Sequence, residues 1–323
     1  MSERTTPSAF TSWYVAALVL ALAATFAVKL RSHGVFACPA RYAGAAYLSD
    51  CNAAEYGDYD HGAFYFGLEP SAREAASRAQ VLFLGNSRIQ FALSAPATTR
   101  WFGDRSIPFY SLGFSHYESV TFVTPVLERV KPHPRAVVIN ADRFFAEWQS
   151  PASHRVMDDG AARAAYETKR NWQKAHEPLC SHLPAACGDA FAVYRMADNG
   201  IWVTAGRKPD QRVGVADGPA DDTARWPHFI DLAHRFVDTL GVERECLILT
   251  IVPNSRTRRA EAEAIAQALG ARFVAPSVEG LTTFDGSHLD SRSAALWSSA
   301  FLEAAGPLLE RCVGVATPLQ AKS

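Results

Sequence analysis

Three observations predict a three-layer α/β/α domain with a flavodoxin-like parallel sheet. Short continuous apolar runs recur along the chain, helix-compatible stretches separate them, and glycine or asparagine closes the runs. Continuous runs of this kind are strands buried on both faces, and their alternation with helices gives a parallel sheet covered on each side. Right-handed crossovers then place every strand's carboxyl end on one edge.

The elements follow from the amino terminus. Phe10 to Val28 carries no charge, and these 19 residues rise about 28 Å as a helix, enough to cross a hydrocarbon core. Trp13 and Tyr14 suit one interface, and Lys29 and Arg31 the other. Residues 1–31 are therefore expected to be an N-terminal tail and membrane anchor. A cleaved signal peptide is the alternative, because Ala21-Leu22-Ala23 resembles a cleavage site, although it falls inside the apolar run. Residues 32–78 show no sustained period and are expected to be an irregular lead-in.

The main domain is expected over 79–311. Ala79–Gly85, Ile107–Gly113 and Pro134–Asn140 are its first three strands, with a helix over Tyr117–Val130. Residues 143–225 interrupt the alternation as a polar, aromatic-rich insertion, and long insertions in compact domains are usually functional lids or subdomains. Alternation resumes with a helix over Trp226–Leu240, strand Cys246–Val252, a helix over Thr257–Leu269, a short strand Arg272–Ala275 and a last helix over Ser291–Leu309. Residues 312–323 are a tail.

The chain has 323 residues, 32 Lys+Arg against 33 Asp+Glu and a net charge of −1, with no basic footprint for nucleic acid. Its six cysteines form the close pairs Cys38/Cys51 and Cys180/Cys187 and one distant pair, Cys246/Cys312. None has a C-x-x-C spacing, so zinc or thioredoxin-like chemistry is not indicated. An even count beside an export segment points to disulfides in an oxidising compartment. Flanking charge alone leans weakly toward a cytoplasmic body, and the cysteines lean the other way. The expectation is a single-pass anchor in the cytoplasmic (inner) membrane with the body on the periplasmic side.

Ligand sites in such sheets lie beyond the strand ends. There stand Gly85-Asn86-Ser87-Arg88 after the first strand, Gly113 after the second, Asn140 after the third, and Asp285-Gly286-Ser287-His288 before the last helix. A serine needs a base to become a nucleophile, a histidine three residues after an aspartate can face the same side as it, and strand-end donors can hold an oxyanion. Each residue also has a plain structural role open to it: Ser87 and Asp285 as helix caps, Gly113 as a strand terminator, Asn140 as a turn residue.

These blocks resemble the SGNH/GDSL hydrolase superfamily, over roughly residues 79–145 and 240–310. Val81 to Ser87 stands as the nucleophile block, with Asn86 in place of the commoner Asp. Ser111-Leu112-Gly113 stands where Asn-Leu-Gly is usual, Asn140-Ala141-Asp142 where G-x-N-D is expected, and Asp285-Gly286-Ser287-His288 matches D-x-x-H. The resemblance implies Ser87 as nucleophile, His288 as base, Asp285 as its orienter, and Ser87, Gly113 and Asn140 as oxyanion donors, without metal or cofactor. The membrane-anchored variant with Phe83 to Arg88 is similar to exported members tied to polysaccharide acylation. That implies a serine esterase or O-acyltransferase acting on an envelope carbohydrate O-acetyl ester, with a membrane acyl-donor protein as partner for transfer. The rival of a different class is a catalytically inactive, anchored scaffold or binding component of a polysaccharide assembly. Trp148, Trp172, Trp202 and Trp226, in or beside the insertion, offer ring faces to sugars, and Arg256, Arg258 and Arg259 offer positive charge; core packing and a solvated face account for them equally well.

Overall fold

A computed structural model describes residues 9–41, 44–53, 56–209, 211–218 and 223–314. Its strands are β1 Ala46–Cys51, β2 Gly57–Asp58, β3 Val81–Asn86, β4 Phe109–Phe114, β5 Ala136–Asn140, β6 Ala192–Met196, β7 Trp202–Ala205, β8 Val213–Gly214, β9 Leu247–Thr250, β10 Arg272–Phe273 and β11 Thr282–Thr283. The helices are α1 Ala9–Ser32, α2 Asp60–Tyr65, α3 Pro70–Arg78, α4 Ser87–Ala92, α5 Ala95–Asp104, α6 Val120–Val130, α7 Pro151–Asp158, α8 Ala162–His182, α9 Trp226–Asp238, α10 Arg259–Leu269 and α11 Ser291–Val313.

Five strands pair in the order β10-β9-β5-β3-β4, all parallel. Counted along the chain this is the flavodoxin-like order, whose direction of winding reverses between β3 and β5. Successive strand residues point to opposite faces, and each face is filled. Leu82, Leu84, Val137, Ile139 and Leu249 pack with Val123 and Val126 of α6, Phe236 of α9 and Ile265 of α10. Val81, Phe83, Val138 and Ile248 pack with Phe102 of α5 and with Trp297 and Phe301 of α11. These two apolar cores make the three layers.

The lead-in is more ordered than its lack of period suggests. β1 and β2 join β6 and β7 of the insertion in an antiparallel sheet of order β2-β1-β6-β7. Segments well over a hundred residues apart thus build one subdomain, which no local pattern announces. Arg195 of β6 ties it to the parallel sheet. This fully buried guanidinium bonds both Asp60 carboxylate oxygens and donates to the carbonyls of Ser111 and Gly113 on β4. The open edge of β4 is thereby covered.

Three disulfides, Cys38–Cys51, Cys180–Cys187 and Cys246–Cys312, use all six cysteines and fit an exported protein. Cys312 lies within α11, which the expected tail boundary had left out; residues 315–323 lie outside the described residues. Helix α1 covers the expected anchor, whose first eight residues, and the side chains of Phe10 to Ser12, lie outside the described set. Among the described residues no helix is long and apolar enough to cross a membrane.

Candidate active site

Strands β3 and β4 each run one residue further than their apolar runs alone suggest. Register pairs Gly85 with Gly113 and Asn86 with Phe114, so both glycines lie inside strands and Ser87 is the first residue beyond β3. Gly85 adopts φ +151°, and a Cβ there would meet the Asn140 Cβ at 3.0 Å. Only glycine satisfies both conditions. Asn86 then caps α4, its side-chain oxygen accepting from the Arg88 N–H at 3.0 Å while its Nδ2 donates to the Asp142 carbonyl at 2.9 Å. An aspartate could accept but not donate in the second bond, which explains an asparagine at this position.

The partner residues arrive on a short loop before α11. Thr283 bridges Leu289, the Phe284 N–H donates to the His288 carbonyl at 3.0 Å, and Asp290 caps α11 by accepting from Ser293 at 2.8 Å. Inside this loop Asp285 Oδ1 accepts from the backbone N–H groups of Ser287 (2.9 Å) and His288 (2.8 Å). Its Oδ2 lies 2.7 Å from His288 Nδ1, and His288 Nε2 lies 2.8 Å from Ser87 Oγ. Partial burial raises the Asp285 pKa, but the bonds from His288 and Ser287 outweigh it and hold the carboxylate below its ordinary range. An ionised Asp285 selects the tautomer with hydrogen on Nδ1, leaving Nε2 as acceptor for the serine proton. The imidazole is walled by Phe91 and Phe284, with ring centroids at 4.7 and 5.6 Å. Residues 201 positions apart thus form one relay, with Ser87 itself 7% exposed.

Gly113 and Asn140 are placed differently from Ser87, Asp285 and His288. Gly113 sits within β4, and its carbonyl accepts from Gln90 (3.0 Å) and Arg195. Ser111 sends its N–H out of the sheet edge to Asn199 (2.9 Å), and the two-residue strand period turns the Gly113 N–H the same way. A Cβ at Gly113 would come within 2.7 Å of Gln90 and 2.8 Å of the Asn86 carbonyl, so close packing already requires glycine there. Asn140 is fully buried at the end of β5, its oxygen accepting from the Val252 N–H at 3.1 Å and its Nδ2 directed to Asn86 at 3.4 Å.

Sequence reasoning missed Arg88. This nearly buried guanidinium pairs with Asp142 and donates through Nε to Ser287 Oγ at 3.0 Å. It therefore joins the helix that carries Ser87 to the loop that carries His288. The signal was available as a charge directly after the serine, but its partners are 54 and 199 residues away and invisible to spacing.

His176, Cys180 and Cys187 group their ligand atoms within 4.8 Å, but the disulfide consumes both sulfurs and His176 Nε2 bonds the Cys38 carbonyl at 2.8 Å. A cavity of about 740 Å³ beside Phe36, Tyr166 and Trp172 lies in the subdomain and away from Ser87; a second, of about 510 Å³, borders Tyr117, itself in contact with Arg88. Against known proteins, the chain matches no family model, no curated protein and no solved structure.

Proposed function

We propose that this protein is a serine acyl-ester hydrolase or O-acyltransferase working through an acyl-serine intermediate. The observation that carries the reading is the continuous Ser87–His288–Asp285 hydrogen-bond relay, at 2.8 and 2.7 Å. As Ser87 Oγ attacks the ester carbonyl carbon, its proton passes to His288 Nε2 and the carbonyl π electrons move onto oxygen. Asp285 stabilises the resulting imidazolium. Collapse of the tetrahedral adduct breaks the bond to the leaving alkoxide, which takes the proton from His288. Water, or a sugar hydroxyl, then attacks the acyl-serine with the same histidine as base. Hydrolysis and transfer differ only in that acceptor. The backbone N–H of Ser87, where α4 opens, is the first candidate for holding the oxyanion; Gly113 and Asn140 complete the set that the SGNH/GDSL resemblance implies.

The test is covalent. A serine-reactive phosphonate, followed by peptide mass spectrometry, is expected to label Ser87, and His288→Ala is expected to abolish labelling. A folded protein that takes no label would favour the scaffold reading.

We further propose that α1 anchors the protein in the inner membrane and leaves the domain on the periplasmic side, facing acylated envelope carbohydrate. In support, Leu18, Leu20, Leu22 and Phe26 on α1 are each more than 60% exposed, apolar surface that water does not favour. The three disulfides agree with an oxidising compartment. Alkaline phosphatase fused after Arg41 is expected to be active and to stay with membranes in alkaline carbonate. Release of a soluble product lacking α1 would identify a cleaved signal peptide instead.

A further inference from the structure

A cavity of about 510 Å³, within the range of small-molecule sites, is bordered by Tyr117, which touches the residue that follows Ser87. Its wall includes Tyr117, Arg143, Trp148, Arg225 and Arg258. Tyr117 joins it to the relay: Arg88, adjacent to Ser87, reaches the Tyr117 hydroxyl at 3.5 Å and lies 5.0 Å from its ring centre. Two carboxylates also line the cavity, each with a partner of its own: Glu261 with the Arg258 guanidinium at 3.4 Å, and Glu147 with the His228 imidazole at 3.5 Å. Arg143 and Arg225 lie instead over the rings of Tyr117 (5.5 Å) and Phe229 (5.1 Å). Among the described residues neither has a carboxylate partner, and both are exposed.

Backbone strain marks the same wall. Of the five non-glycine residues with positive φ among the described residues, His116 (60°), Tyr117 (57°) and Arg143 (56°) stand here. Such conformations persist only where surrounding contacts enforce them, and they concentrate at ligand sites. The enforcing contacts are visible. Glu118 is fully buried and bonds His61 Nε2 at 3.0 Å and Ser150, Ser119 donates to the Trp148 carbonyl at 2.8 Å, and Trp148 Nε1 donates to the His116 carbonyl at 3.2 Å. The result is an indole held by these bonds but left 49% exposed, in a cavity it shares with the Arg143 and Arg225 guanidinium groups. A flat aromatic face suits a sugar ring, and guanidinium suits carboxylate or phosphate.

We propose that this cavity is the acceptor-side subsite of the ester substrate and binds a sugar residue carrying an anionic group, its ring on Trp148 and its anion between Arg143 and Arg225. The proposal rests on the acyl-serine reading and names the substrate class for it. Neutral glycans are bound less well because they leave both cations without a partner.

The experiment uses the full-length chain in detergent, as Ser87→Ala so that nothing is turned over, and titrates indole fluorescence. The probes are an oligogalacturonate, its fully methyl-esterified neutral counterpart, and glucose 6-phosphate. Tighter binding of either anionic probe than of the neutral one by tenfold or more, weakening with added salt, is expected; which anion prevails assigns carboxylate or phosphate. Arg225→Gln, at an exposed position without strained backbone, and Arg143→Gln are each expected to weaken that binding at least fivefold. In the Ser87-containing protein the same variants are expected to keep phosphonate labelling of Ser87. Equal binding of charged and neutral probes, or arginine variants that bind as the parent does, overturns the subsite. Loss of labelling in the parent protein with anion-selective binding intact overturns the acyl-serine reading and leaves an anionic-glycan site.

Discussion

Asp285→Asn tests the relay at its most discriminating atom. In the native loop Asp285 Oδ1 accepts from the Ser287 and His288 N–H groups, and Oδ2 faces His288 Nδ1 at 2.7 Å. The asparagine oxygen can keep the two backbone bonds, so the loop is retained. Its Nδ2 then stands where Oδ2 stood and donates to the ring. The imidazole must present a bare Nδ1 to it and carry its hydrogen on Nε2, facing Ser87 Oγ across 2.8 Å. That tautomer cannot receive the serine proton. The same substitution in a well-studied serine protease lowers kcat by about 10⁴, equivalent to about 5 kcal/mol of transition-state stabilisation. A loss on the order of 10³ to 10⁴ in kcat is expected here. It is read as 4-nitrophenyl acetate hydrolysis and as the rate of phosphonate labelling at Ser87, with circular dichroism confirming an unchanged melting temperature. Asp285→Ala additionally removes the acceptor for both N–H groups, so it should loosen the loop as well as stop the chemistry. If Asp285→Asn retains activity within tenfold of the parent, the relay plays no part in the reaction.

Other consequences follow from the buried polar groups. Asn140→Ala leaves the Val252 N–H without its acceptor and is expected to cost about 1–3 kcal/mol of stability in a denaturant melt and, as an oxyanion donor, about a hundredfold in kcat; a loss of stability with kcat within tenfold of the parent would remove Asn140 from the oxyanion set. Burial disfavours a charged His61, but Asp58 and Glu118 outweigh it and push its pKa up to about 10 from 6.5. Its contribution is therefore complete below pH 6.5 and lost as pH rises toward about 10, so unfolding free energy should fall across that window by on the order of 1 kcal/mol per pH unit, and His61→Gln should flatten the slope. A flat native profile would refute the charge assignment. Cys246–Cys312 closes a separation of 66 residues, and chain entropy assigns it about 4 kcal/mol; replacing both by serine should lower the denaturation midpoint more than removing Cys180–Cys187, whose separation is 7.

Much of this architecture was legible from the amino-acid sequence because it depends on local pattern. Continuous apolar runs mark strands buried on both faces, so the five parallel strands fall within two or three residues of their expected positions. The cysteines stood in the sequence as two close pairs and a distant one, and the fold decided their connectivity. Ser87, Asp285 and His288 stood out because strand ends and a D-x-x-H spacing are local signals. What sequence could not decide was any partnership without a period. Lead-in and insertion form one antiparallel sheet, and Arg195 ties it to β4, through contacts between segments 135 and 84 residues apart. The same distance hid Arg88, whose bonds to Asp142 and Ser287 draw the two halves of the relay together. Tertiary structure also set the partners of the remaining two residues, placing Gly113 in the β3–β4 ladder and tying Asn140 to Val252 and Asn86. Local chemistry selected the nucleophile and its base; long-range packing, which no spacing encodes, set what surrounds them.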